Sequence, residues 1–165
     1  MSQSSLEAAI PPGARILLDT SAVLAYLSGA EAASPPATIV LDRFVATGRN
    51  RAVVSAITVT EVLVRPFRAA SPAALQTVED FLGHFPNLTV EPVTFEIARE
   101  AARVRAATAG PTPDAIVLAT GQIVGAAVAV ANDGQWAAVI SKAQLALALC
   151  HLDEHQADAQ PVASP

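Results

Sequence analysis

Five short apolar runs, RILL (15–18), RAVVSA (51–56), LTVEPV (88–93), GAAVAVA (125–131) and LALALCHL (145–152), are set apart by longer stretches. No two consecutive runs are close enough for a hairpin turn, so the strands they predict need crossover connections. The chain therefore reads as α/β, with helices packed on a central, mostly parallel sheet of four to five strands. Right-handed crossovers would place the carboxyl ends of those strands along one edge.

The intervening stretches carry helical spacing. Residues 22–27 follow the first run as a helix, and Ile39, Leu41, Phe44 and Val45 suit a second one ended by Gly48. TVTEVLVRPF (58–67) reads as a helix that Pro66 should kink or end. Pro72 opens another through residue 85, with Leu75, Val78, Phe81 and Leu82 on one stripe. Residues 95–107 form an amphipathic helix with Glu96–Arg99 and Glu100–Arg103 pairs. Thr112-Pro113-Asp114 is a helix start, with proline in the first turn and an acid at the positive dipole end. Residues 1–13 and 154–165 are polar and rich in Pro, Ser, Ala and Gln, which predicts two flexible ends around one domain at 14–153.

Composition narrows the class. Of 165 residues 52% are hydrophobic, enough for a substantial core. The net charge of −5, with nine arginines and the single lysine Lys142, gives no overall attraction for nucleic acid or anionic membrane. A local arginine cluster or a bound cation can still reverse the field at one place. Cys150 stands alone, so no intrachain disulfide forms and a reducing cytoplasm is the expected compartment. Residues 1–13 lack the basic and long apolar parts of a secretory leader. The apolar run 115–131 is short and contains Thr120, Gln122 and two glycines between Asp114 and Asp133, so it reads as a helix and then a buried strand, with no membrane association.

Most of the fifteen acids lie in solvated settings; four do not. Asp19 follows the first strand, Asp133 follows the GAAVAVAN strand, Asp114 begins the helix before that strand, and Glu61 interrupts the apolar helix TVTEVLV. Each has an ordinary reading. Asp19 can cap a helix, Glu61 can pair with Arg65 at i+4, Asp114 can complement a dipole, and Asp133 can belong to an Asn-Asp-Gly turn. Several acids converging would repel one another unless a cation sat between them, and hard oxygen ligands suit Mg²⁺ or Mn²⁺.

The set LLDTSAVLAYL (17–27), VVSAITVTEVLV (53–64), TPDAIVLATG (112–121) and VANDGQW (130–136) resembles the PIN domain, and within it the VapC-type toxins of toxin–antitoxin pairs. The resemblance spans about residues 14–153. It implies a PIN-like three-layer α/β/α sandwich and a Mg²⁺- or Mn²⁺-dependent endoribonuclease leaving 5′-phosphate and 3′-hydroxyl ends. Asp19, Glu61, Asp114 and Asp133 match the family's acidic quartet, as catalytic residues and metal ligands. Ser21 matches its small supporting hydroxyl, and Asn132 the amide before the last acid. A cognate antitoxin whose tail covers the pocket and a homodimer using helices around 37–47 and 72–85 are implied as partners. Two departures stand out. Ala131 replaces a more usual Thr or Ser, removing a supporting hydroxyl, which lowers metal affinity by about tenfold, and Trp136 replaces a more usual Phe.

Arg65 and Arg68, shortly after Glu61, are candidate RNA phosphate contacts. His84, His151, His155 and Cys150 show no zinc-ligand spacing, and no glycine-rich phosphate loop is present. A phosphatase of the haloacid dehalogenase type would need an acid where Ser21 stands, and a receiver domain would need its lysine ahead of Lys142. A catalytically weak PIN-like module that binds RNA or a partner is the alternative to an enzyme.

Overall fold

In the computed structural model, which describes residues 4–159, β1 (Arg15–Leu18) is the middle strand of five. It pairs with β2 (Arg51–Ser55) on one side and β4 (Val128–Ala131) on the other. The edges are β3 (Leu88–Glu91), beside β2, and β5 (Ala148–His151), beside β4. All four pairings are parallel, so the sheet expected to be mostly parallel is wholly so, in the order β3-β2-β1-β4-β5.

The central strands are apolar on both faces because both faces are covered. Ile16, Leu18, Val54, Val128 and Val130 enter one core, beneath α1 (Ser5–Ala9), α2 (Thr20–Ser28), α3 (Ser34–Thr38), most of α4 (Ala56–Arg68) and α5 (Pro72–His84). Leu17, Val53, Ala129 and Ala131 enter the other, beneath α6 (Phe95–Thr108), α7 (Thr112–Ile123) and α8 (Trp136–Lys142). This is the three-layer α/β/α sandwich that the sequence predicts. The apolar run 115–131 divides between α7 and β4, and among the described residues no helix is long and apolar enough to cross a membrane.

Strand order decides where ligands can reach the sheet. From β1 the chain moves outward through β2 to β3, then returns to the other side of β1 as β4. The helix after β1 packs in one layer and the helix after β4 in the other. The connections diverge there, leaving a crevice at the carboxyl ends of β1 and β4.

Three local expectations need correction. The first 13 residues do not fray as a unit: Ser4 and Glu7 form a capping box for α1, and Leu6 and Ile10 are fully buried. At the other end Leu152–Ala159 winds into 3₁₀ turns, with Leu152 and His155 buried. The Asp158 carboxylate accepts from the Ser5 and Leu6 N–H groups and from the Ser5 hydroxyl, bracing the two ends against each other. The remainders of the two expected tails, 1–3 and 160–165, lie outside the described residues. Pro66 does not end α4, which runs two residues further; it lies in the final turns, where its missing N–H removes one bond. Residues 39–45 are also wider than an ordinary helix, with the Ala46 N–H donating to the carbonyl of Leu41, five residues back.

Gly121 lets α7 lie close on β1. A Cβ there would stand 2.7 Å from Leu17 Cδ2 and 3.3 Å from Leu17 Cβ, and Leu17 is itself fully buried. Gly121→Ala should therefore destabilise the protein by about 1–3 kcal/mol through overpacking, lowering the melting temperature by several degrees. Gly83→Ala, in α5 with open space around it, should instead raise stability by about 0.5 kcal/mol. Thermal unfolding of the two variants beside wild type checks both signs.

Candidate active site

The crevice receives an acid from each wall. Asp19 leaves β1 and caps α2, and Asp133 follows β4 by two residues. Asp114 occupies the third position of α7, where its charge also complements the helix dipole. Glu61 comes from the middle of α4, beside the β1–α2 turn.

Asp19 is held from two directions. Its Oδ2 accepts from the Ser21 N–H at 3.2 Å and from the Ser21 hydroxyl at 2.6 Å. The same hydroxyl accepts from the Asn132 N–H at 2.8 Å, tying the end of β1 to the end of β4. The Asp19 N–H donates to the Val130 carbonyl at 3.0 Å, extending the ladder by one bond. The Ser21 contacts thus use one carboxylate oxygen, Oδ2.

The other acids are similarly half-used. Glu61 Oε2 accepts from the Thr20 hydroxyl, which also bonds to the buried Thr58 hydroxyl. The expected Glu61–Arg65 ion pair is replaced by this Thr20 contact: the ion pairs among the described residues are Asp80–His84 and Glu100–Arg103. Asp133 Oδ1 accepts from the Gln135 N–H at 2.8 Å, which is the turn chemistry expected of Asn-Asp-Gly. Asp114 accepts no hydrogen bond among the described residues.

Electrostatics shows that the four carboxylates share one field. Burial pushes the Asp114 carboxyl above its ordinary range, and the charges of Asp19, Asp133 and Glu61 push it further. Burial also raises Asp19, hydrogen bonds from Ser21 and Thr20 oppose that shift, and Glu61 adds to it. Every charge acting on these two groups is negative. Such a group of hard oxygen donors without an internal cation fits Mg²⁺ or Mn²⁺. Among the described residues no three His, Cys, Asp or Glu groups close into a ready-made cage. Mg²⁺ does not require one, because it keeps waters and uses one or two carboxylates with substrate oxygens. The Asn132 Oδ1, buried and without a donor, is a further unmet acceptor beside the crevice.

The remaining candidates are placed less centrally. Arg65 and Arg68 are exposed on the last turns of α4 and bond to none of the acids; Arg65 instead borders an apolar groove with Leu24, Leu27 and Val62. Ala131 is fully buried in the core shared with α7, so no hydroxyl stands there, and Trp136 is seated in the same core. Thr20 is the residue that the sequence left unmarked. Its position between Asp19 and Ser21 is the signal, but its partner lies on α4.

A family model described as PIN domain matches residues 16–141. No curated protein matches the chain. Among solved structures, VapBC2 from Rickettsia felis bound to a DNA fragment from their promoter superposes with a TM-score of 0.63 at 12% identity, covering 83% of this chain and 98% of that one. VapC20 from Mycobacterium tuberculosis gives 0.62 at 20% identity, over 74% and 93% of the two chains. FitAcB from Neisseria gonorrhoeae gives 0.60 at 17% identity, over 81% and 96%. At these identities the likeness is one of fold.

The raised carboxyls fix a sign for stability. Between the ordinary value of 3.8 and their raised values, Asp19 and Asp114 bind more protons in the folded than in the unfolded chain. The metal-free protein should therefore lose stability as pH rises through that window. Asp114→Asn should raise its melting temperature at neutral pH and flatten the pH dependence, measured by thermal unfolding in EDTA.

Proposed function

The chain belongs to the PIN domain family, and from that premise we propose that it is a divalent-metal-dependent endoribonuclease, the toxin of a toxin–antitoxin pair. The observation that carries this reading is the Asp114 carboxyl, burdened by three like charges with no cation to offset them. Support also comes from the solved neighbours. The tuberculosis neighbour is described as a toxin that cleaves the sarcin–ricin loop, and one from Klebsiella pneumoniae as a toxin–antitoxin complex.

Asp19, Asp114 and Asp133 would hold Mg²⁺ or Mn²⁺, directly or through water, with Glu61 as a further ligand or as the group orienting the attacking water. When bound, the ion neutralises a phosphodiester oxygen, lowers the pKa of a bound water and steadies the leaving oxygen. The chain's own contribution is orientation. Ser21 holds Asp19 by its Oδ2, and Thr20 holds Glu61 by its Oε2. The Ser21–Asn132 bond keeps the acids of β1 and β4 at a fixed separation. A rigid acidic pocket of this kind aligns a water with a phosphate for in-line displacement. The cognate antitoxin would cover the same pocket, and a homodimer would form through helices around 37–47 and 72–85.

Purified protein should cut single-stranded RNA in Mn²⁺ and stop in EDTA. Asp19→Asn should lower the single-turnover rate by at least about a hundredfold, beyond the 10–100-fold typical of residues that only support a metal ligand. Ser21→Ala should cost roughly tenfold. Metal-dependent cutting that survives Asp19→Asn would overturn the assignment. A wild type that binds RNA yet leaves every RNA intact would favour the binding module.

A further inference from the structure

A cavity of about 420 Å³ opens directly beside the acids, between the end of α6, the start of α7 and the outer face of α8. Asp114 and Asp133 line its inner wall, and Lys142, the only lysine of the chain, lines it from the last turn of α8. Trp136 to Lys142 is six residues of helix, about 9 Å along the axis, and Lys142 forms no ion pair with either carboxylate among the described residues. The wall is mixed: Pro111 and Ala138 contribute apolar surface, and Gln135 adds an exposed amide. The volume falls within the roughly 300–1,000 Å³ of small-molecule pockets.

Resting on the ribonuclease reading, we propose that this cavity is the subsite for a nucleotide flanking the scissile phosphate, with Lys142 holding that nucleotide's own phosphate. A polyanion approaching four carboxylates on a chain of net charge −5 is repelled unless a cation offsets the field on its path. A bound metal would do this at the scissile phosphate, and Lys142 does it one step along the strand. Lys142 is exposed and has no ion-pair partner among the described residues, so its charge is not spent inside the protein. Pro111 and Ala138 take the base or sugar by apolar contact, and Gln135 supplies a donor and an acceptor for a base edge, as expected for recognition of single-stranded RNA. Lys142 is thus a positioning and specificity residue of the substrate, separate from the acids that hold the ion.

The test uses the full chain in Mn²⁺ with short RNAs varied at the positions flanking the cut. Lys142→Ala should raise KM about tenfold with kcat within twofold, and Lys142→Arg should restore most of the loss. Ala138→Phe, placed on an exposed wall residue so that folding is spared, should fill the cavity and change the preference among flanking bases. Melting curves confirm that both variants fold. Cutting whose KM and base preference are the same in wild type, Lys142→Ala and Ala138→Phe overturns the subsite and leaves the ribonuclease reading intact. A wild type that neither cuts nor binds RNA overturns both. In the Asp19→Asn background, anisotropy of a fluorescent RNA pentamer reads binding without cleavage; a five- to tenfold weakening by Lys142→Ala supports the subsite even if turnover is absent.

Discussion

Mutual repulsion among Asp19, Glu61, Asp114 and Asp133 is the constraint around which the rest of the molecule is arranged. Four carboxylates in one field, two of them pushed toward protonation, are unfavourable in an isolated fold. The structure tolerates them because three are tied to their own elements by local chemistry, a helix cap, a first-turn dipole position and an Asx turn, and Glu61 is held by Thr20 from the neighbouring helix. None of those ties uses both oxygens of a carboxylate. On the proposed function, the contacts that keep the acids in place would let capping and metal binding coexist in the Asp-Thr-Ser turn.

Rigidity behind the acids comes from close packing. Gly121 brings α7 onto Leu17, and Ser21 links the ends of β1 and β4. The bulk of each central strand is buried on both faces, so a shift of one acid would require repacking two cores. Interiors at crystal-like density resist such shifts. The terminal brace of Ser5 and Leu6 by Asp158 closes the far side of the same core.

Much of the fold was legible in the sequence because its signals are local. All five apolar runs became strands within a few residues of their expected limits, since continuous burial leaves a readable apolar pattern. The helix at 112–123 began where Thr-Pro-Asp said it would. The termini were misread because polar composition outweighed a capping box and two spaced apolar residues, Leu6 and Ile10. Pro66 stands two residues before the end of α4, where a proline costs an intrahelical bond without ending the helix. For the candidate site, the acids were visible as carboxylates in apolar company. Their hydrogen-bond partners were not.

By itself, the sequence determined which segments are strands and helices, that three acids sit at their ends and that Glu61 interrupts an apolar helix, because period, caps and turn residues act over a few positions. Only tertiary structure decided that β1 and β4 are neighbours, that Thr20 meets Glu61 across 41 residues, and that Ser21 meets Asn132 across 111. It also brought Lys142 and Asp114 to the lining of one cavity. The reason is physical: such partners carry no local signature and are brought together only by the strand order and by the burial of two apolar faces against one sheet.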